Sequence, residues 1–232
     1  LALLDKEKYI ENYKSISESI ADEKRSEVKI ISVSKSHPKE AMKRAFDSGL
    51  RVFGENYVQE MVEKYEWLDE NTKNEIEWHF IGHLQTNKVK YIAPFVNCIH
   101  SVYKLKLAKE INKRANQNDR TIDILLQVNT SGEDSKSGCN PNDALDIAKG
   151  IIDLENVNLK GLMTISGLDS TNSERKKEFA LLNELKHKIN NELGTDLKEL
   201  SMGMTADYQL AIEEGSTMIR VGTAIFGERV YS

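Results

Sequence analysis

KIISVSKSHPKEAM, residues 29–42, changes character halfway along. Val28 just before it, then Ile30, Ile31 and Val33, are apolar and β-branched, the composition of a buried strand. Pro38 then opens a run that reads as helix. Between the two stands Lys35, where the strand should end. Lysine is among the side chains least often buried, so its place at the end of an apolar strand asks for a chemical reason. A strand leading directly into a helix is also the unit from which parallel sheets are built.

The same alternation recurs outward from this stretch. Apolar runs predict strands over 28–33, 51–53, 78–81, 98–100, 122–128, 159–163, 199–200 and 218–221, the second and seventh being the shortest. Helix-period segments lie between them at 38–47, 56–67, 87–91, 104–117, 142–152, 173–190 and 207–214, and a first helix spans 3–21. Eight βα units close naturally into a barrel of about 250 residues, and the chain has 232. An open doubly wound sheet would place a Gly-rich turn after its first strand, and none is present. The expected architecture is α/β, a single (β/α)8 TIM barrel over residues 1–232, with an extra N-terminal helix (1–24) packed on it.

Composition narrows the function classes. Thirty-two Lys and Arg against 37 Asp and Glu give a net charge of −5, which argues against a nucleic-acid footprint. No apolar run reaches spanning length and the N-terminus lacks a signal-peptide core, so neither a membrane nor secretion is expected. The two cysteines, Cys98 and Cys139, are far apart and form no CxxC. They fit reduced thiols in a cytoplasmic protein.

Barrel chemistry sits at the C-terminal ends of the strands. The residues expected to converge there are Ser34, Lys35, Gly54, Glu55, Asn56, Gly82, His83, His100, Ser101, Asn129, Thr130, Thr164, Ser201, Gly222 and Thr223. A lysine stripped of water there has a lowered pKa, and its neutral amine can form a Schiff base with an aldehyde or ketone. The plainer alternative pairs Lys35 with a carboxylate such as Glu55, or lets it snorkel to solvent. Two small-residue turns leave the last two strands, LSMGMT at 200–205 and RVGT at 220–223. The loops after strands seven and eight of such barrels often hold phosphate. Ser201, Gly203, Thr205, Gly222 and Thr223 therefore read as a phosphate cup, or else as ordinary turn glycines and caps. Arg220, inside the eighth strand, either meets a ligand at the mouth or sits in a buried ion pair. Together these features suggest a phosphorylated carbonyl compound held as an imine. Pyridoxal 5′-phosphate (PLP) and a sugar phosphate on a Schiff-base aldolase both fit.

Eight stretches in order, ISVSKSHP, FGENYVQE, WHFIGHLQTNK, SVYKLKLAKEINKRA, LLQVNTSGEDSKSG, LKGLMTI, LSMGMT and STMIRVGTAIFGER, cover the chain from about residue 28 to 229. They closely resemble the pyridoxal phosphate homeostasis protein family, single-domain relatives of the alanine racemase barrel. The resemblance implies PLP as cofactor, on a (β/α)8 barrel with an added N-terminal helix. It implies Lys35 as the Schiff-base lysine, Asn56 beside the cofactor ring and Arg220 facing the pyridine nitrogen. Ser201 and Thr205 of SMGMT, with Gly222 and Thr223, match the family's phosphate site. Two departures stand out. Thr205-Ala206-Asp207 replaces a serine and an acidic pair, and Cys139 follows SKSG where an aromatic or aliphatic residue is usual.

The resemblance further implies a protein that buffers or delivers PLP, with apo-PLP enzymes as recipients, and that helps maintain vitamin B6 and amino-acid balance. No catalytic residue and no enzymatic turnover are expected, and the protein is expected to act as a monomer. A permanently cationic Arg220 would keep the ring nitrogen unprotonated and weaken the electron sink. The sequence ends at Ser232, soon after the barrel, so no second domain is expected to bring an opposing base. A low-activity PLP-dependent racemase or lyase is the alternative. No metal is expected either: His79, His83 and His100 lie on neighbouring strands but lack a tight HxH or HExxH spacing. Glu55 and His83 are secondary acid–base candidates. The cations of 104–114 read as a solvated helix face, and the polar loop 129–138 as a flexible loop or lid.

Overall fold

The strands pair side by side in chain order and the last returns to the first. The structure is a computed structural model that describes residues 3–133 and 136–228. In chain order its elements are α1 (Lys6–Ser19), α2 (Asp22–Arg25), β1 (Lys29–Val33), α3 (Lys39–Asp47), β2 (Val52–Glu55), α4 (Val58–Trp67), α5 (Glu70–Glu75) and β3 (Glu77–Phe80). There follow α6 (Val89–Ile92), β4 (Cys98–Val102), α7 (Leu105–Asn116), β5 (Ile122–Gln127), α8 (Ala144–Ile152), β6 (Val157–Met163), α9 (Asn172–Leu193), β7 (Glu199–Met204), α10 (Tyr208–Glu213), β8 (Met218–Val221) and α11 (Thr223–Phe226). All eight strands are parallel and form a closed barrel, the (β/α)8 TIM barrel that the alternation predicts. The closing seam joins β1 to β8, with Ile31 opposite Arg220.

Apart from the exposed Asn158 and Lys160 at the start of β6, the strands are largely buried, which is why most read as apolar runs. Ile31, Val33, Cys98, Leu125, Met163 and Met218 fill the barrel interior. Their neighbours Ile30, Phe53, Trp78, Phe80, Ile99, Leu162 and Ile219 face outward and pack under the helices against Met42, Leu107, Ile111, Phe179 and Leu182. The polar helix α9 starts on a capping box between Thr171 and Glu174 and ends at Gly194, whose φ of 64° suits a residue without Cβ. No helix among the described residues is long and apolar enough to cross a membrane.

The structure differs from the expected elements in three places. The N-terminal helix over 1–24 is two helices: Ile20 adopts extended backbone after α1 and buries its side chain, so the chain turns before α2. Residues 1, 2 and 229–232 of the expected domain, with Arg229 of the last resembling stretch, lie outside the described residues. Helix α5, ENTKNE, carries no apolar stripe to announce it and starts on the Asp69 side chain, which caps Thr72. Strand β7 continues through Met204, well past the expected end at 200. Ser201 is held in register between Met163 and Met218, and this pairing overrides a local sequence that reads as a turn.

A cavity at the barrel mouth

The turn after β1 is fastened from below. Ser34 is fully buried and its hydroxyl donates to Glu55 Oε1 at 2.5 Å. Lys64 of α4 is also buried and donates to the Ser34 carbonyl, Glu55 Oε1 and Glu60 Oε1, each at 2.7 Å. Glu60 Oε1 in turn accepts from the Ser36 backbone N–H at 2.7 Å. Ser36 sits at φ 60°, a left-handed conformation that a non-glycine residue adopts only under constraint. Lys35, half-buried, lies between these two anchored residues. Glu55 is thus held by Ser34 and Lys64. Burial pushes the Glu55 carboxyl up, and Lys64 pulls it back down. Its second oxygen, Oε2, is buried with no hydrogen-bond partner among the described residues.

Lys35 lines a cavity of about 260 Å³ at the C-terminal ends of the strands. That is slightly below the roughly 300–1,000 Å³ of pockets for drug-sized ligands. Six residues singled out by sequence line it together: Lys35, Asn56, Thr205, Arg220, Gly222 and Thr223. Val33, Ile81 and Ile165 supply its apolar wall. Asn56 is set by Gly82: a Cβ there would lie 2.0 Å from the Asn56 carbonyl oxygen, so only glycine permits the approach. The Asn56 Oδ1 is buried and has no donor among the described residues. Gly222 lets the first turn of α11 close against β1, with a Cβ there only 3.2 Å from the Val33 carbonyl oxygen.

The turn that carries Thr205 depends on a residue that sequence reading did not assign. Asp207 is buried, accepts from the Met204 N–H through Oδ1 at 2.7 Å and from the Ser166 hydroxyl through Oδ2 at 2.7 Å. Gly203 lies beneath this turn at φ 93°, where a Cβ would meet the Tyr208 Cα at 2.8 Å. It shapes the cavity wall without lining it. Ser201 is not at the rim either. Its hydroxyl is inside the barrel, accepting from Arg220 Nη1 at 2.7 Å and bonded to His100 Nδ1 at 2.8 Å. The expected five-residue cup is therefore reduced to Thr205, Gly222 and Thr223 on the cavity wall.

Arg220 forms the inner end of the cavity. Its Nη2 donates to the Thr164 carbonyl at 3.0 Å, and among the described residues no carboxylate pairs with it. Burial lowers its pKa to about 10, with Asp207 acting in the opposite sense, so the guanidinium is charged at neutral pH. Below it, His100 Nε2 and His79 Nδ1 are 2.7 Å apart and His79 Nε2 is 2.9 Å from Glu77 Oε1. Burial pushes the pKa of both rings down. The Cys98 thiol, raised by burial, shares this pocket of potential ligand atoms with the two histidines, all within 4.8 Å of one another. The third histidine of the sequence grouping, His83, is exposed and packs on Tyr103 with ring centroids 5.6 Å apart. The loop over 129–138, whose residues 134 and 135 lie outside the described residues, reaches the mouth through Lys136, which donates to the Ser166 carbonyl.

A larger groove of about 480 Å³ lies at the opposite end, between α1 and the start of β2. Its Arg51 is committed to the Phe46 and Leu50 carbonyls and to Glu75, and none of its lining residues has an orphaned polar atom. The mouth cavity is the site with chemistry: an amine, a fixed cation, an unpaired amide oxygen and a threonine-bearing turn.

The family profile for the alanine racemase N-terminal domain matches residues 4–230. A pyridoxal phosphate homeostasis protein of Aquifex aeolicus is 43% identical over 203 residues, 88% of either chain. PipY of Synechococcus elongatus, solved without PLP, superposes with a TM-score of 0.87 at 34% identity, covering 94% of this chain and 99% of its own. PipY with PLP bound superposes with a TM-score of 0.85 at 33% identity, covering 94% and 100%. Profile, sequence and fold agree that the chain belongs to the alanine racemase N-terminal-domain family, and within it to the pyridoxal phosphate homeostasis proteins.

Proposed function

We propose that this protein binds PLP in the mouth cavity as a Schiff base on Lys35 and acts as a PLP buffer or donor. The observation that carries the reading is the convergence of Lys35, Arg220 and the Thr205 and Gly222–Thr223 turns on one small cavity. PLP supplies an aldehyde and an electron-withdrawing ring when bound. Lys35, whose amine lines the cavity, would hold the aldehyde. Thr205 and the first turn of α11 would take the phosphate, since amide groups opening a helix have no carbonyl partner within it. Asn56 and Arg220, which line the same cavity, would hold the ring, and the Arg220 guanidinium would disfavour a proton on a ring nitrogen placed against it. The PLP-bound PipY structure supports the ligand, and the homeostasis name of the Aquifex relative supports the role.

Storage or delivery is favoured over turnover because, among the described residues, the acid–base candidates near the cavity are already committed to other partners. Glu55 is tied up by Ser34 and Lys64, and His79 and His100 are bonded to each other beneath Arg220. All the described residues that line the cavity come from one copy of the chain, which supports a monomer as the working unit, with apo-PLP enzymes as recipients. Cys98 and Cys139 are buried free thiols, which fits a reducing compartment such as the cytoplasm. Borohydride reduction of the PLP-loaded protein followed by peptide mass spectrometry tests the assignment. The label is expected on Lys35, and a label elsewhere with Lys35 unmodified would reject it.

A further inference from the structure

A continuous line of polar groups crosses the barrel from its floor to the cavity. Lys29 and Glu77 pair at 2.6 Å at the N-terminal ends of β1 and β3, where both side chains are more than a third exposed. From Glu77 the line runs through His79, His100 and Ser201 to Arg220, with successive separations of 2.9, 2.7, 2.8 and 2.7 Å. His79, His100 and Ser201 are fully buried and Arg220 nearly so. In a barrel interior otherwise filled by Ile31, Val33, Leu125, Met163 and Met218, unsatisfied polar groups would be costly.

The two ends fix the direction of every proton. A guanidinium only donates and an ionised carboxylate only accepts. Arg220 must donate to Ser201. The Ser201 hydroxyl has two contacts, Arg220 and His100, so its own hydrogen goes to His100 Nδ1. His100 then carries its proton on Nε2 and donates to His79 Nδ1. His79 likewise carries its proton on Nε2 and donates to Glu77. Running the histidines the other way would leave the Ser201 hydrogen without an acceptor and present an N–H-less nitrogen to Glu77. Burial holds both rings neutral, and the His79 hydrogen bond, with Lys29, keeps the Glu77 carboxyl down at about 2. The same commitment of His79 Nδ1 and His100 Nε2 to each other is poorly compatible with both binding one metal ion beside Cys98.

We propose that Glu77, His79, His100 and Ser201 form a one-way hydrogen-bond relay that positions Arg220, so that the ionised carboxylate at the barrel floor sets the tautomers that aim the guanidinium into the cavity. These are positioning residues, acting on a ligand only through Arg220. The inference deepens the PLP reading and rests on it for its effect on binding, but the tautomers can be read without any ligand.

The test has two arms. In the first, imidazole nitrogen NMR on the ligand-free protein is expected to find both His79 and His100 neutral with the proton on Nε2. Glu77→Gln, whose amide can donate or accept, is expected to mix the His79 tautomers. A proton on Nδ1 of either ring, an imidazolium at neutral pH, or tautomers unmoved by Glu77→Gln would overturn the relay. In the second arm, Ser201→Ala is expected to weaken PLP and pyridoxal by the same factor, about three- to tenfold, and Ser201→Thr, which keeps the hydroxyl, to restore both to within about twofold. A loss confined to PLP would make Ser201 a phosphate ligand, and no loss for either compound would remove Ser201 from the positioning of Arg220; both overturn the proposal. Failure of the unaltered protein to bind PLP would reject the proposed function, while the nitrogen spectra would still decide the relay.

Discussion

Replacing Lys64 with methionine isolates the cluster beneath the Lys35 turn. Lys64 is the cation for Glu55 and Glu60 and the donor to the Ser34 carbonyl, and methionine keeps most of its volume without charge. Removing one partner of a buried ion pair costs about 3–5 kcal/mol, because the other charge is left without compensation. With a urea slope of about 3 kcal/mol/M for a chain of this size, the unfolding midpoint should fall by about 1–1.7 M at pH 7. The deficit should depend on pH with a definite sign. Burial already raises the Glu55 carboxyl and Lys64 opposes this, so losing Lys64 raises it further. A carboxyl raised in the folded state costs stability as pH climbs from its unfolded value to its folded one, and returns that stability as pH falls. Each pH unit within that window is worth about 1.4 kcal/mol. The variant should therefore lose clearly less at pH 5 than at pH 7, and Glu55→Gln in the same chain should recover much of the loss. Urea unfolding of the four proteins of the cycle at both pH values measures this. A loss under about 1 kcal/mol at pH 7, or an equal loss at both pH values, would refute the reasoning.

Other outcomes follow from the same geometry. PLP should bind far more tightly than pyridoxal, and Thr205→Ala should narrow the gap, because bonds to charged groups are worth about 1.5–3 kcal/mol each; equal affinities in a spectroscopic titration would remove the phosphate from the Thr205 and Thr223 turns. Gly82→Ala would set a Cβ 2.0 Å from the Asn56 carbonyl oxygen, and should lower stability by more than about 2 kcal/mol in thermal or urea unfolding; a neutral result would mean that the β3 turn yields easily. The PLP-loaded protein incubated with L-alanine in deuterated water should show only slow exchange, since a positioned general base is worth about 10²–10⁴-fold. D-alanine produced at many turnovers per second and abolished by Lys35→Ala would favour the racemase.

The barrel was legible because both faces of its strands are apolar, and the helices between them show their period. Elements without that signal were not legible: α5 is polar throughout with only Thr72 buried, and the 199–204 strand contains Ser201 and Gly203, which read as a turn. Ending that strand at 200 put Ser201 at the rim, whereas it lies inside a strand that runs on to Met204. Lys35, Asn56, Thr205, Arg220, Gly222 and Thr223 could be found because they follow or end strands, where the fold gathers side chains. Lys64 and Asp207 could not. Each lies in or beside a helix with an ordinary charged neighbourhood, and only the tertiary arrangement shows that one anchors the Lys35 turn and the other the Thr205 turn. His79 and His100 were grouped with His83 because they fall on neighbouring strands, but β3 ends at Phe80 and His83, in the turn beyond it, is exposed against Tyr103.

The seam between β1 and β8 gives the cavity an unusual dependence on the order of synthesis. Lys35 leaves the ribosome early, but Arg220, Gly222 and Thr223 emerge almost a full chain later, and the register of Ile31 with Arg220 forms only then. A nascent chain halted before Met218 presents the amine without the cation or the turn that would receive a phosphate. Ligand capture as proposed is thus confined to molecules whose barrel has already closed, and a ligand held across the seam would stabilise that closure against reopening.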